Sequence, residues 1–147
     1  MSAFEPPNNH DYDEIAVGSK VRQEYIITPA IYGNFMAAFR DHSPVHVDEA
    51  YARKSGFVGR VMPGAILNGF ISHFVGMVFP GEPSLLLAVD LRFAHPSFLG
   101  DALWLEAKVS QKLDSQRVIV LDLAFKNLTR NHLAARGRAQ VKLRKQP

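Results

Sequence analysis

The stretch GAILNGFISHFVGMVF, Gly64 to Phe79, decides how the rest of the chain must be arranged. Ile66, Leu67, Phe70, Ile71, Phe74, Val75 and Met77 put apolar side chains almost all round a helix, so other structure must wrap it. One line differs: Gly64, Asn68, Ser72 and Gly76 recur every four residues and bring small and polar side chains onto one stripe. Gly69 and Gly76 would weaken an isolated helix, which predicts close packing against a sheet as compensation. The stretch is shorter than the roughly 20 residues of a membrane span and carries Asn68, Ser72 and His73.

Everything after Pro83 reads as strand. Leu85, Leu87, Val89, Leu91 and Phe93 alternate, as do Leu103 to Val109, Ile119 to Phe125 and Leu133 to Leu143. Leu113 to Gln116 and Asn127 to Asn131 look like hairpin turns, which implies an antiparallel sheet. Upstream, a first strand is expected over Val21 to Ile27. Thr28 and Pro29 then form a helix start, with Ile31, Phe35, Ala38 and Phe39 on one face. That helix should end near Arg40, because Pro44 disfavours helical geometry, and a short helix should follow over Asp48 to Lys54. Residues up to Asp13 read as a loose arm. The class is α+β: one domain over residues 1–147, a curved antiparallel sheet folded round a long central helix.

Composition narrows the function classes. The chain has 147 residues, 47% hydrophobic and 21% charged, as for a soluble globular protein. It has no cysteine, which excludes disulfides, thiolate–metal sites and cysteine nucleophiles. MSAFEPPNNHDYDE lacks the basic start and apolar core of a signal peptide, so the expected location is cytoplasmic. The net charge is only +3, yet no acidic residue follows Asp122, while Lys126, Arg130, Arg136, Arg138, Lys142, Arg144 and Lys145 do. Such a tract can meet nucleic acid or an anionic cofactor. Here, however, Arg136, Arg138, Lys142 and Arg144 share one parity and the apolar residues the other, the pattern of a solvated strand face, with no aromatic for base stacking.

Arg40 to Glu49, RDHSPVHVDE, carries the candidate chemistry. A compact loop of this length can turn Asp41 and His46 towards one cavity. An imidazole titrating near ~6.5 passes protons at neutral pH, and a carboxylate can orient it or share a water with it. Three plainer readings compete: Asp41 as a turn former, His46 as a satisfied core histidine, and a metal site drawn from Asp41, His42, His46 and Asp48, which has no recognisable ligand spacing.

DHSPVHVDEAYARKSGFVGRVMPGAI resembles the hydratase motif of the MaoC-like family, the (R)-specific enoyl-CoA hydratases of hot-dog fold. Asp41, Pro44, His46 and Asp48 stand in matching places, Tyr51 and Ala52 continue the match, and Gly64 falls where a glycine opens the buried helix. Ser72 falls where members carry a serine that supports the catalytic pair, and LRFAHPSFLGDAL matches at Phe93, Pro96, Gly100 and Asp101. The likeness runs from about Tyr25 to Leu143. It implies reversible syn hydration of a trans-2-enoyl thioester of coenzyme A. In it His46 and Asp41 would handle protons, an amide at Gly64 would stabilise the enolate, and Ser72 would orient Asp41. Ser43 and Asn68 would be substrate contacts. It also implies no metal and no cofactor beyond substrate coenzyme A, and a homodimer or dimer of dimers without nucleic-acid or membrane partners. Three positions depart: Ser43 replaces asparagine, Pro63 replaces histidine and Ala65 replaces methionine.

Other functions stay open. A hot-dog thioesterase would commonly place a carboxylate on the central helix, and Gly64 to Phe79 has none. A non-catalytic acyl-CoA-binding partner subunit would be favoured by loss of Asp41 or His46, and both are present. A nucleic-acid module is more distant.

Overall fold

The computed structural model describes residues 5–146. In chain order the main elements are β1 (Lys20–Ile26), α1 (Pro29–Phe39), α2 (Pro44–Val47), α3 (Glu49–Lys54), α4 (Ile66–His73), β2 (Ser84–Phe93), β3 (Ala102–Leu113), β4 (Val118–Asn127) and β5 (His132–Leu143). The five strands form one antiparallel sheet in the order β1-β3-β4-β5-β2. The connections β3–β4 and β4–β5 are hairpins as expected, but β2 crosses to pair with β5, and β1 pairs with β3. The sheet curves round α4 in a hot-dog arrangement. Leu103, Leu105, Ile119, Leu121, Phe125 and Val141 meet Leu67, Ile71 and Phe74, all fully buried or nearly so. Among the described residues no helix is long and apolar enough to cross a membrane.

Several expectations need correction. The central helix is α-helical only to His73 and continues as a π turn over Phe74–Val78. Its stripe of Asn68 and Ser72 faces outward, and a Cβ added at Gly69 or Gly76 would meet nothing within 4 Å. Those glycines therefore do not serve close packing against the sheet. On α1 the buried line is Tyr32 and Met36; Ile31 and Phe35 of the expected face pack partly buried against the core, while Phe39 is 71% exposed. Pro44 does not keep its segment out of a helix: as first residue of α2 it gives up an N–H that would have had no partner there anyway.

The apolar parity of β2 turns outward. Leu85, Leu87, Val89 and Phe93 are exposed along an open sheet edge, and a register shift between Leu86 and Ala88 interrupts the alternation. From Asn8 onward the amino-terminal arm is pinned, not loose. Asn8 bonds the backbone of Met77, Val78 and Glu82, and Tyr12 is buried with its hydroxyl donating to Asp114 at 2.8 Å. Residues 1–4 of that arm lie outside the described residues.

Candidate active site

Local rules carry the chain from α1 to the two candidate side chains. The Thr28 hydroxyl accepts from the Ile31 N–H and starts the helix, and Arg40 ends it in the left-handed region at φ 54°. Asp41 therefore leaves the helix axis, and its Oδ1 accepts the Ser43 N–H at 3.1 Å in an Asx turn. The turn at Ser43 works through its amide rather than its exposed hydroxyl. Pro44 then opens α2, whose single turn presents His46. Asp48, the next acidic residue, caps α3 by accepting the Tyr51 N–H at 3.0 Å and is thereby occupied. Exposed His42 points to no partner, and among the described residues no three His, Asp or Glu side chains gather as a metal would need.

The environment of His46 settles its tautomer. Its Nδ1 lies 2.7 Å from the Val61 carbonyl oxygen. A carbonyl only accepts, so Nδ1 carries the proton, and in the neutral ring Nε2 keeps a free lone pair. Nε2 faces Asp41 Oδ2 at 3.9 Å. That is too long for a direct hydrogen bond and leaves a gap that a water can bridge.

Two groups that the sequence did not single out hold this arrangement. Val61 is fixed by its N–H to the Val45 carbonyl at 3.0 Å and by an isolated bridge to Phe98. Tyr32, 4% exposed, places its hydroxyl 2.5 Å from the His46 carbonyl and 3.0 Å from that of Val61. Burial pushes the Tyr32 pKa up, with the Asp41 charge adding and Arg60 opposing, so its hydroxyl stays a donor. The i, i+4 spacing of Tyr32 and Met36 was a signal for this buried line; nothing in the sequence marks Val61.

His46 lines a cavity of about 480 Å³ together with Gly64, Leu67, Phe93, His95 and Ser97. Gly64 and Ala65 lead into α4, and among the described residues neither amide N–H meets an acceptor, as at any helix start without a side-chain cap. Glycine at 64 lets the Phe93 ring come close: a Cβ there would lie 2.9 Å from the ring. The opposite wall is held by a buried polar knot in which Asn127 donates to Ser97 and Asp101, and Arg130 donates to the same Asp101 oxygen at 2.8 Å. His46 thus links Asp41 and Gly64: it faces Asp41 across 3.9 Å and shares its cavity with Gly64, while Asp41 itself is not among the residues that line that cavity. Asn68 and Ser72 are not part of this link: both lie on the open face of α4, and among the described residues no hydrogen bond joins Ser72 to Asp41.

Comparison with known proteins identifies the family and the fold. The profile of the MaoC like domain matches residues 14–129. An (R)-specific enoyl-CoA hydratase of Aeromonas caviae is 30% identical over 130 residues, covering 88% of this chain and 96% of its own length. The solved (R)-hydratase of the same organism superposes with a TM-score of 0.82 at 29% identity, over 88% of this chain and 98% of that one. An unliganded R-hydratase from Pseudomonas aeruginosa does so with a TM-score of 0.87 at 29% identity, over 95% and 89%.

Proposed function

Because the chain belongs to the MaoC-like domain family, we propose that it is an (R)-specific enoyl-CoA hydratase, adding water reversibly and syn to a trans-2-enoyl-CoA to give the (3R)-3-hydroxyacyl-CoA. One observation carries the reading. The Val61 carbonyl holds His46 in the tautomer whose basic Nε2 faces Asp41 across 3.9 Å, and His46 lines one cavity with Gly64 and Ala65, whose amides are unpartnered among the described residues.

A water in that gap donates one O–H to Nε2 and the other to the carboxylate. As its oxygen bonds the β-carbon, His46 takes a proton and the double-bond electrons move to the thioester oxygen. The Gly64 amide donates to that enolate oxygen. Losing a donor of this kind typically costs about 3–4 kcal/mol of barrier. The proton passes from His46 through Asp41 to the α-carbon on the same face, so water is consumed and both side chains return to their starting state. The reaction is proton transfer alone and calls on no cofactor beyond the coenzyme A of the substrate.

We further infer that two copies join along β2, whose open edge offers unpaired backbone groups flanked by Leu85, Leu87 and Val89. In such a pair the outward Ser72 stripe is free to meet the partner.

The test is loss of the conjugated thioester absorbance of crotonyl-CoA, followed by the configuration of the product alcohol. The (R) isomer is expected. Asp41→Asn and His46→Gln proteins should stay folded and lose about 10²–10⁴-fold in kcat. An (S) product, or full turnover by either folded variant, refutes the assignment.

A further inference from the structure

Apart from tyrosines, three polar side chains are fully buried among the described residues, and all three meet in one knot: Ser97, Asp101 and Asn127. One carboxylate oxygen of Asp101 takes three donors, the Phe98 N–H at 3.0 Å, Asn127 Nδ2 at 2.8 Å and Arg130 Nε at 2.8 Å. The same Asn127 nitrogen reaches Ser97 Oγ at 3.2 Å, and the Arg130 guanidinium lies over the Phe98 ring at 4.2 Å. Three of these contacts end on Ser97 and Phe98, in the connection from β2 to β3. A buried ion pair is often no more stabilising than apolar side chains of the same volume. What this one supplies is a single fixed geometry for the segment it holds.

That segment lies against Val61. The Met62 N–H donates to the Ser97 carbonyl at 2.9 Å, and Val61 bridges Phe98 as in an antiparallel pair. Val61 in turn holds His46 Nδ1 at 2.7 Å. Asp101 and the imidazole are thus joined by a continuous run of hydrogen bonds and paired backbone. Val45 and Tyr32 hold Val61 from the helices, and the knot holds it from the sheet.

We propose that Asp101, Asn127 and Arg130 are positioning residues for His46. Their knot sets the Val61 carbonyl, and through it which ring nitrogen of His46 carries the proton. A histidine ring left to water favours the proton on Nε2, so holding it on Nδ1 takes an acceptor kept in place. An acceptor that drifts returns Nε2 to the donor form, which cannot take a proton from the attacking water. The consequence for turnover rests on the hydratase reading above, whereas the tautomer itself does not depend on it.

Asp101→Asn combined with Arg130→Met tests the idea. The double variant leaves neither charge buried alone, and methionine keeps a contact with the Phe98 ring. The reading is the His46 ring in long-range 1H–15N spectra of protein labelled at histidine, taken above the ordinary imidazole range of pH and assigned by its loss in His46→Gln. Wild type should show Nδ1 protonated and Nε2 bare. The folded double variant should show the proton shared between both nitrogens. Its kcat on crotonyl-CoA should fall about 10–100-fold, with a smaller change in KM. The exposed pair of Asp122 and Arg138 serves as control: Asp122→Asn with Arg138→Met must leave His46 unchanged, and an equal shift there overturns the proposal. Should the first double variant not fold, Arg130→Lys decides. That side chain is 31% exposed, and lysine keeps the counter-charge but gives up the planar fork, so the same mixing of tautomers must appear in weaker form. A folded variant of either kind with His46 still protonated on Nδ1 alone overturns the proposal, whatever happens to kcat. A wild-type protein that turns over no enoyl-CoA sinks the hydratase reading instead, and the spectra still decide the role of the knot.

Discussion

Replacing Gly64 with alanine tests whether this glycine and the Phe93 ring together set the width of the cavity. The added Cβ lies 2.9 Å from Cε1 and Cζ of Phe93, 0.5 Å inside the 3.4 Å at which ordinary contact begins. Gly64 is not among the glycines with positive φ, so alanine can adopt its backbone conformation. The ring, 56% exposed at the end of an edge strand, is free to swing away. Relief of the clash should therefore be cheap, and the lower entropy of an unfolded alanine favours folding by about 0.4–1 kcal/mol. The net change in stability should stay below about 1 kcal/mol, a shift in Tm of no more than about 4 °C. Catalysis has less tolerance, because Phe93 lines the cavity shared by His46 and the Gly64 amide. A displacement on the order of 1 Å at reacting groups can cost 10²-fold. Gly64→Ala should lower kcat/KM on crotonyl-CoA by about 10–100-fold, and Phe93→Ala in the same chain should restore most of it. The expected coupling is about 1.4–2.7 kcal/mol. Unchanged turnover in Gly64→Ala would place the reaction elsewhere. A loss that Phe93→Ala does not relieve would refute the role given to the ring.

Three further perturbations separate support, charge and assembly. Tyr32→Phe leaves the half-buried His46 carbonyl without its donor and should destabilise the protein by about 1–2 kcal/mol, lowering kcat more than it changes KM; equal melting and equal kcat would remove Tyr32 from the supporting set. Glu106 is held below the ordinary carboxylate range, chiefly by the 2.6 Å hydrogen bond from Arg22 with Lys20 assisting against partial burial. The stability this supplies is complete above the unfolded carboxylate value of about 4.3 and fades as pH falls through the lowered folded value, so the Tm gap between wild type and Glu106→Gln should close in acid and not in base. Leu87→Arg, on the open edge of β2, should yield a monomer by light scattering without lowering the helix or sheet signal in circular dichroism; an unchanged mass would move the interface elsewhere.

Legibility in the sequence followed how local the cause was. Thr28-Pro29 announced α1 because a cap and a fixed φ act within one turn. The alternation of β3, β4 and β5 was readable because each has one face on the core. The same alternation located β2 as a strand but not its buried face, because the open edge and the register shift turn apolar residues outward. Pro44 was ambiguous in kind: proline stops a helix from within and starts one at its first position. The buried line of α1 lay one residue from the expected face, because α1 packs Tyr32 towards the carbonyls of His46 and Val61, and nothing local states that. Asp41 and His46 were legible as a pair by type and spacing, whereas Ser72, given to the pair by resemblance, faces away from the sheet.

In the reaction proposed above, the way His46 is anchored leaves the carboxylate free to act. Many paired imidazoles are oriented by a carboxylate on the nitrogen away from the substrate, which spends the charge on positioning. Here a neutral backbone carbonyl, itself strapped by Val45 and Tyr32, does that task at 2.7 Å. The charge of Asp41 is left on the reactive side, where Oδ2 and Nε2 face each other without touching. Two acceptors so placed cannot satisfy each other while His46 is neutral, but each can accept one proton of the same water. It follows that replacing the Val61 carbonyl contact matters more than its apolar side chain suggests. A ring freed to rotate would turn its N–H towards Asp41, close the gap with a direct hydrogen bond and leave no place for the water that the proposed reaction needs.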